Sequence, residues 1–294
     1  MKRSLLLSIL LVSLFSCKSS SEDSTQDGAP NLHPVEFKIG NIYEDLPELK
    51  TASTFSSGDS ALNRLGFLYY LVFDATGKFV HQIKQSKGDV SFGLVSDQLK
   101  AGQYTAVLVS CTDEMVISGN LTLLTNTKLK TTSNTGDIFY KKLSFNVTAD
   151  GFSQPVLLDR VVGCVEMRIT DRIADNVAKV EFTIENEMLY FNVNTDLVEI
   201  ANPESRSTSA EVTSANRNAI KLDLLVWNDQ VPLVATVRLL DASNAIIKWK
   251  KITGIQNIRR KKTILLGKMS DFLNGGFSVG YDDRWIPDST VINF

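Results

Sequence analysis

Residues 67–80 have the sequence Phe-Leu-Tyr-Tyr-Leu-Val-Phe-Asp-Ala-Thr-Gly-Lys-Phe-Val, and this stretch decides the fold class. Residues 67–73 are dense in aromatic and branched apolar side chains, a composition typical of β-strands. The segment Asp74-Ala75-Thr76-Gly77 then supplies turn-forming residues, with Gly77 where a left-handed backbone is expected. A strand, a tight turn and a second apolar segment predict a β-hairpin.

Similar segments continue along most of the chain, and helical periodicity is scarce. Residues 202–218 are predicted as a polar loop, and only residues 269–273 and 171–176 offer a turn of helix. Each predicted strand is bounded by Gly, Asp, Asn or Ser, and the strands after the hairpin cover residues 90–95, 103–109, 121–124, 138–147, 161–169, 177–184, 220–227, 233–240, 246–252 and 263–266. In residues 161–169 the odd-numbered residues are expected to share one face. The sequence therefore predicts an all-β protein.

A faint internal repeat links residues 70–80 with residues 237–247. Both segments have an apolar strand, an Asp-Ala-(Thr/Ser)-(Gly/Asn) turn and a second apolar strand, so that Asn244 takes the place of Gly77. One interpretation is that any β-hairpin could look like this. The other is two sandwich domains of common topology, each displaying the hairpin.

The length of the chain favours two domains, because about 265 residues beyond the N-terminal tether are more than one small core usually needs. We place the boundary near residues 154–159, where the strand pattern restarts after Pro155. The predicted organisation is a signal peptide at 1–16, a lipidated cysteine and tether at 17–32, and β-sandwiches at 33–158 and 159–294.

The first sixteen residues predict a signal peptide that is absent from the mature protein. Lys2 and Arg3 form a short basic start, and residues 4–15 are almost uninterrupted apolar. This stretch is shorter than the ~20 residues that span a bilayer, so it is excluded from the fold. Residues 14–17, Leu-Phe-Ser-Cys, resemble the lipobox of bacterial lipoprotein precursors, which implies lipidation of Cys17 and cleavage just before it. The alternative is a plain secretory signal that happens to end in cysteine.

The segment after Cys17 is polar and rich in serine. Residues 18–30, Lys-Ser-Ser-Ser-Glu-Asp-Ser-Thr-Gln-Asp-Gly-Ala-Pro, cannot bury apolar surface and predict a disordered tether. A serine-rich stretch with an acidic pair at this place resembles the surface-export signal of Bacteroidetes lipoproteins. The resemblance implies an outer-membrane protein, anchored by several acyl chains such as palmitate, that faces the cell exterior.

No pattern of catalytic or metal-binding residues occurs, so we expect no enzyme, cofactor or metal. His33 and His81 are the only histidines, and the chain has neither an HExxH motif nor a GxSxG elbow. His33 lies at the end of the predicted tether, and His81 is expected to point outward from its strand. The acidic pairs at 44–45 and 282–283 are interpreted as solvated turns, with a loose calcium site as the alternative.

Charge and cysteine usage exclude further classes of function. The net charge of −2 provides no attraction to nucleic acid. The basic run at residues 259–262, Arg-Arg-Lys-Lys, is interpreted as a solvated hairpin turn, with contact to membrane phosphates as the alternative. Cys111 and Cys164 lack zinc-site spacing. We expect them as free thiols in different domains, buried like small hydrophobes, with a disulfide as the alternative.

Three tryptophans, Trp227, Trp249 and Trp285, could stack on sugars. Trp227 ends a predicted strand and Trp249 alternates with lysines, so packing in a core or between sheets is the favoured interpretation.

Three Asp-Ser tripeptides resemble the O-glycosylation motif of the same group of bacteria, and their serines are Ser24, Ser60 and Ser289.

Motifs in a fixed order resemble the fimbrillin-like lipoproteins of Bacteroidetes. The hairpin at 68–77 is followed at 99–104 by Leu-Lys-Ala-Gly-Gln-Tyr, similar to the family's Leu-x-x-Gly-x-Tyr turn. Residues 160–166 resemble the Arg-led strand that opens the family's second domain, and residues 262–285 resemble its C-terminal region. The match to FimB-type fimbrial anchor and tip subunits covers most of residues 33–294. It implies two tandem transthyretin-like β-sandwiches and a role in fimbrium assembly.

One departure from the family concerns proteolytic maturation. The polymerising fimbrillins that resemble this chain lose an N-terminal strand by cleavage after arginine, which opens a groove for a neighbour's donor strand. Arg64 is the only arginine between Arg3 and Arg160, and cleavage there would separate the fold from its lipid anchor. The departure favours an uncleaved subunit held at the membrane.

The hypothesis is a non-enzymatic fimbrial anchor or accessory subunit that joins its partners by β-strand addition. The expected partners are fimbrial subunits and, through the lipid, the outer membrane. A tip role, an adhesion target on a host or bacterial surface, and the direction of strand donation are left open. The alternative is a surface glycan-binding lipoprotein that uses exposed aromatic residues.

Overall fold

A computed structural model describes residues 31–43, 65–118, 121–130, 136–200, 203–274 and 278–282. The signal peptide, Cys17, Arg64, Trp285 and the serines at 24, 60 and 289 lie outside these residues. The strands of the N-terminal half are β1 Leu32–Tyr43, β2 Phe67–Asp74, β3 Phe79–Ser86, β4 Leu94–Lys100, β5 Gly102–Cys111, β6 Val116–Ser118, β7 Lys128–Lys130, β8 Ile138–Val147 and β9 Phe152–Arg160. The C-terminal half has β10 Gly163–Ile169, β11 Lys179–Glu187, β12 Tyr190–Asn192, β13 Leu197–Val198, β14 Glu204–Glu211, β15 Ile220–Val226, β16 Leu233–Leu240, β17 Ile246–Ile255, β18 Lys262–Gly267, the short helix α1 Asp271–Asn274 and β19 Ser278–Asp282. The all-β prediction is confirmed.

The hairpin predicted from residues 67–80 is formed by β2 and β3, which pair antiparallel. Its turn is held by one carboxylate oxygen. Oδ1 of Asp74 accepts hydrogen bonds from the backbone N–H of Thr76 at 2.9 Å, from the Thr76 hydroxyl at 2.7 Å and from the N–H of Lys78 at 3.0 Å. Gly77 has a φ of 78°, as the turn requires.

Strand β2 is apolar at nearly every position because both of its faces are buried. Leu68, Tyr70 and Val72 face the core of the N-terminal half, whereas Tyr69 and Leu71 face a second core on the other side of the sheet. Side chains alternate between the faces of a strand, so a strand buried on both faces loses the polar half of the pattern.

The N-terminal half is one seven-stranded sheet, in the order β3-β2-β5-β8-β9-β1-β4, that rolls around its core. Strands β8 and β9 share only the pairs Phe139↔Arg160 and Tyr140↔Asp159, and the sheet turns a corner there. Strands β9, β1 and β4 thus lie opposite the other four. Buried side chains from both sides meet in this core, among them Val35, Phe37, Val95, Val156, Leu68, Leu108 and Phe145.

The C-terminal half is a sandwich of two four-stranded sheets, β15-β10-β18-β19 and β14-β11-β16-β17. Its core takes Val165, Met167 and Ile169 from β10, which confirms the shared face for these three residues, whereas Val161 precedes the strand and packs in a different core. Opposite them lie residues of β11 and β16, including Val180, Phe182, Ala235, Val237 and Leu239.

The two halves share one strand order. In chain order, β3-β2-β5-β8 corresponds to β14-β11-β16-β17, and β9-β1-β4 corresponds to β18-β10-β15. In each half the first strand runs parallel to the last strand of this set and antiparallel to the fourth. The two halves therefore have the common topology expected of two related domains.

The internal repeat, however, does not correspond to this shared topology, so the interpretation that each half displays the same hairpin is wrong. The second turn reproduces the first closely, since Oδ1 of Asp241 accepts from Ser243 N–H at 2.8 Å, from its hydroxyl at 2.7 Å and from Ala245 N–H at 2.9 Å, and Asn244 has a φ of 63°. However, the hairpin β2–β3 corresponds in topology to β11–β14, whereas β16–β17 corresponds to β5–β8. The two segments share turn chemistry and not a place in the fold.

A third core and a fourth sheet join the halves. In the order β13-β12-β7-β6, two strands of the C-terminal half continue into two strands of the N-terminal half, with Phe191 opposite Leu129. The core beneath it, which we call the junction core, combines Tyr69, Leu71, Val107, Val109 and Tyr140 with Val161, Val162, Phe191, Val193 and Trp227. Strand β9 continues through the predicted boundary to Arg160, so the halves meet at Val161 and Val162. The described residues from Leu32 onward form one compact unit.

Four local predictions differ from the structure. Residues 90–95 begin as a turn, because Gly88 and Gly93 have φ of 109° and 90° and Val90 is fully exposed. Residues 121–124 form a turn that leads into the 3-10 segment Leu124–Asn126. The predicted loop at 202–218 contains β14, a polar edge strand that pairs with β11. Residues 171–176 form no helix. The other predicted helical turn, at 269–273, overlaps with α1.

Candidate functional site

Strand addition requires a sheet edge with unpaired main-chain groups, and in the N-terminal half the edge strands β3 and β4 are bridged to each other. His81 Nε2 lies 3.0 Å from Asp97 Oδ1, and the Tyr70 hydroxyl donates to Asp97 Oδ2 at 3.1 Å. Gln85 Nε2 donates to the carbonyl oxygen of Leu94 at 2.7 Å. Burial and the neighbouring carboxylate of Asp97 raise the pKa of Tyr70, so its hydroxyl stays protonated as a donor.

The edge strands β14 and β15 of the C-terminal half are also connected by side chains. Arg206 is buried and its Nη1 donates to the carbonyl oxygen of Leu225 at 3.3 Å. Nearby, Oε1 of the fully buried Glu187 accepts the N–H of Trp227 at 2.7 Å. Burial raises the pKa of Glu187 to about 7, against the opposing effect of the Arg206 charge. This side of the sandwich is therefore closed by buried polar groups.

Strand β17 is the long open edge. Within the described residues it pairs only with β16, along its ten residues Ile246–Ile255. Strand β19 has one described neighbour as well, but it spans only five residues. Lys248, Lys250 and Lys251 stand along β17, and lysines on an edge strand discourage indiscriminate pairing. The edge is thus suited to a partner strand that carries acidic side chains.

The sheet face beside this edge carries an ordered polar network. Nζ of Lys251 lies 3.1 Å from Oε2 of Glu185, and the hydroxyl of Thr236 donates to Oε1 of Glu185 at 3.3 Å. Nη1 of Arg238 donates to a carboxylate oxygen of Glu181 on the neighbouring strand. Cross-strand pairing sets Trp249 directly opposite Arg238. We call this surface the Trp249 face, defined by Glu181, Glu185, Thr236, Arg238, Ile246, Trp249 and Lys251.

The prediction that the tryptophans pack internally is right for one residue and wrong for another. Trp227 is fully buried, 5.2 Å from the ring of Phe191 between ring centroids. Trp249 is 57 % exposed, because its position on β17 turns it toward the outer face. Trp249 does alternate with lysines, but Lys248 and Lys250 are the residues that lie on the side of the core, opposite Leu239 and Val237. Trp285 lies outside the described residues.

Sequence reasoning missed the polar residues of the Trp249 face. Thr236 and Arg238 lie on β16, whose sequence Leu-Val-Ala-Thr-Val-Arg-Leu-Leu places them between core residues of the opposite parity. That alternation was a usable signal. Their proximity to Glu185 and Trp249 depends on sheet order, which a single sequence does not contain.

The basic run at 259–262 does contain a turn, at residues 259–260 with a φ of 66° at Arg260, but the interpretation as a solvated hairpin turn is wrong. Lys262 is buried, and its Nζ lies 3.0 Å from Oε2 of the fully buried Glu166. Nη2 of Arg260 pairs with Asp159 of β9 at 3.0 Å, and Nε of Arg259 lies 2.6 Å from an oxygen of Asp229. Three of the four cations therefore pair with a carboxylate of the fold.

Glu166 is the buried centre of this charge network. Burial raises its pKa, but hydrogen bonds from Lys262, Lys221 and Arg168 outweigh that effect and hold the pKa below its usual range. The carboxylate is therefore ionised in the folded protein. Of the basic run, only Lys262 contacts Glu166, and its ammonium group is paired inside the fold rather than exposed to membrane phosphates.

The other predicted residues occupy structural positions. Cys111 and Cys164 are buried free thiols, the first in the junction core and the second on β10. His33 is the second residue of β1 and is buried, and His81 is half-exposed beside Asp97. Within the described ranges, no cluster of three or more His, Cys, Asp or Glu could hold a metal ion. No helix among the described residues is long and apolar enough to cross a membrane.

The comparison with protein families matches this chain to the fimbrillin-A associated anchor proteins Mfa1 and Mfa2 over residues 54–259. No curated protein matches the chain by sequence.

Solved structures of similar fold come from Porphyromonas and Bacteroides species. The fimbrial anchor protein Mfa2 from Porphyromonas gingivalis is 14% identical, with a TM-score of 0.51 over 88% of this chain and 100% of that one. A candidate adhesin from Bacteroides thetaiotaomicron is 16% identical, with a TM-score of 0.56 over 91% and 100%. A candidate polysaccharide-binding protein from the same species is 12% identical, with a TM-score of 0.59 over 89% and 98%. These TM-scores show a common fold.

Proposed function

Because this chain belongs to the family of fimbrillin-A associated anchor proteins, we propose that it is a cell-surface fimbrial anchor or accessory subunit without enzymatic activity. The family match over residues 54–259 is the observation that carries the proposal. Its partners are other fimbrial subunits. The described residues add no cluster of groups that would suggest a metal-dependent reaction instead.

The proposed attachment is a lipid on Cys17, after removal of residues 1–16. A lipoprotein of this kind sits in the outer membrane and faces the exterior. The residues from Cys17 up to the start of β1 at Leu32 would act as the tether. The sequence pattern around Cys17 supports this attachment. Several acyl chains on one cysteine would hold the protein stably in the membrane.

The proposed joint with a filament subunit is strand addition at β17. This edge is ten residues long, has a described neighbour on one side only and carries three lysines. Main-chain pairing would supply affinity, and an acidic partner strand would complement the lysines. The shared junction core supports the same role, because a joint under tension benefits from two halves that do not swing apart.

The lipid anchor is tested by replacing the signal peptide and Cys17 with a plain secretory signal before Ser19. The tether contributes no core, so the protein should fold normally and be recovered in the medium. Filaments that it anchors should then be shed or altered in length, as seen by electron microscopy. An unchanged membrane fraction refutes lipid anchoring, and normal release with unaltered filaments refutes the fimbrial role.

The joint is tested separately by pulling down the native surface protein and probing for filament subunits. The double variant Lys248→Glu, Lys250→Glu should lose at least tenfold of the captured subunit, because it opposes an acidic strand with like charge. Lys100→Glu, an exposed charge reversal at the end of β4, is the matched control and should leave capture unchanged. Equal capture by all three proteins contradicts a joint at β17.

A second candidate function is recognition of a surface glycan. The observation that favours it is the exposure of Trp249 on an ordered polar face. This function is compatible with anchoring, because a filament strand would use the main chain at the edge of β17, whereas a glycan would use side chains on the face of the sheet.

A further inference from the structure

The Trp249 face has the composition of a small-molecule site built on a rigid element. A depression of about 300 Å³ is lined by Glu185, Thr236, Arg238, Ile246, Trp249 and Lys251. All six residues lie on β11, β16 and β17, which are held in register by antiparallel pairing. Sites on strands hold their groups more precisely than sites on loops.

The indole of Trp249 supplies the apolar part of this site. It is 57 % exposed, and the neighbouring Ile246 is 55 % exposed. Indole combines a flat apolar ring with an N–H donor, which is why tryptophan is frequent where one side of a contact is apolar and the other wet. An apolar ring face of a ligand could therefore lie against it.

The polar groups of the face are fixed before any ligand arrives. Glu185 receives the Thr236 hydroxyl at 3.3 Å and the Lys251 ammonium at 3.1 Å, one on each carboxylate oxygen. Arg238 is held by Glu181 and by the hydroxyl of Thr183 at 3.3 Å. Ligand binding to such groups loses less side-chain freedom than binding to free ones.

The charges of the face specify a neutral ligand. Two cations, Arg238 and Lys251, pair with two carboxylates, Glu181 and Glu185. An anionic or cationic ligand would have to compete with an existing ion pair. Hydroxyl groups, in contrast, can donate to the spare lone pairs of the carboxylates and accept from the remaining N–H groups of the cations.

We propose that the Trp249 face binds a neutral sugar ring of a surface polysaccharide, with the C–H face of the pyranose on the indole and its hydroxyls on Glu185, Arg238 and Lys251. This inference rests on the second candidate function and not on anchoring. The site is too small for a stable protein interface, which buries roughly 800 Å² on each partner. One ring on a shallow surface binds weakly, with a Kd on the order of 1 mM, and repeated rings along a polymer raise the avidity.

The test is retardation of the full mature protein in native gels that contain purified neutral glucan, mannan, galactan or xylan, or anionic polygalacturonate. One neutral polysaccharide should retard the wild-type protein and shift its tryptophan emission. Trp249→Ala should lower the apparent affinity at least tenfold, whereas Trp249→Tyr should retain part of it. The control is Val80→Ala, which removes an exposed apolar side chain from the edge strand β3.

Each outcome separates the site from the function. Retardation that persists in Trp249→Ala keeps glycan recognition but overturns this site. Binding of polygalacturonate alone keeps a glycan site and overturns its neutral specificity. No retardation by any polymer overturns both, while the capture of filament subunits remains an independent measurement. Loss of subunit capture in Trp249→Ala without any glycan binding assigns the face to a protein partner and refutes the inference.

Discussion

At the scale of single residues, buried charges mark the places where elements from different parts of the chain meet. Arg160, 4 % exposed, ends β9 and donates from Nε and Nη2 to the two oxygens of Asp137, each at 2.7 Å. Its guanidinium also lies 5.0 Å from the ring centroid of Phe139. A buried charge is tolerated when it is paired in this way. If one partner of such a pair is removed, the other is left as a buried charge without a counter-ion.

Glu187 should make the protein less stable as the pH rises. Its pKa is raised from 4.5 to about 7 by burial, so between these values the folded state binds more protons than the unfolded state. The free energy of unfolding is then highest below pH 4.5, falls through this window by about 3 kcal/mol and levels off above pH 7. The variant Glu187→Gln keeps the acceptor for Trp227 N–H and should lose this dependence.

The measurement is urea denaturation of both proteins at pH 5 and pH 8. Glu187→Gln should match the wild-type protein at pH 5 and exceed it at pH 8. Glu211→Gln, an exposed position at the end of β14, is the control and should follow the wild-type protein at both values. A Glu187→Gln variant that is less stable at pH 8 would show that the ionised pair with Arg206 is favourable.

The two thiols should be unreactive in the folded protein. Burial raises the pKa of Cys111 to about 12 and also raises the pKa of Cys164, and the thiolate is the reactive form. A thiol reagent at pH 8 should modify neither residue until denaturant is added. Mass spectrometry of unreduced peptides checks the same point, and a linked Cys111–Cys164 peptide would contradict it.

At the scale of elements, turn chemistry is local and strand formation is not. The two Asp-led turns have the same hydrogen bonds although they connect topologically different strands. Hydrogen bonds to Asp74 and Asp241 lower the pKa of both carboxyl groups, so their stabilisation is present above the ordinary carboxyl pKa and is lost as the pH falls. Strand β14, in contrast, has no apolar pattern and exists because β11 pairs with it.

The left-handed position of the β2–β3 turn should accept asparagine and reject a β-branched residue. Gly77 has a φ of 78°, and Asn244 takes the equivalent place with 63°. Gly77→Asn should therefore cost little, whereas Gly77→Val should cost about 1–2 kcal/mol because its side chain clashes in this conformation. Urea denaturation measures both, with Asn244→Gly as the reciprocal control. Equal stability of Gly77→Val and Gly77→Asn would contradict the prediction.

At the scale of the whole molecule, the junction core makes two topologically similar halves depend on each other. The connection between β9 and β10 is two buried residues, Val161 and Val162. Phe191 packs between Tyr140 of one half and Trp227 of the other, with ring centroids 5.1 and 5.2 Å away. If either half unfolded alone, the apolar side chains that the other half contributes to the junction core would become exposed to water.

The protein should therefore unfold in one transition. Urea curves followed by tryptophan fluorescence and by far-ultraviolet circular dichroism should coincide. Phe191→Ala should shift both together, with a loss of about 3–5 kcal/mol. Ile258→Ala, which truncates an exposed apolar residue, is the control and should change little. Two separated transitions in the wild-type protein would show that the halves are independent.

The amino-acid sequence alone carried the strand class, the first hairpin, the chemistry of both turns and the buried free cysteines. These features depend on the two-residue period of a strand and on side chains that bond their own backbone, which are local properties. The family resemblance also came from motifs in order along the chain. It was the tertiary structure that settled strand order, the pairing of β14, the burial of residue 262 and the exposure of Trp249. A strand pattern states that alternate side chains face opposite ways, but which face meets a core depends on neighbours that are distant in sequence.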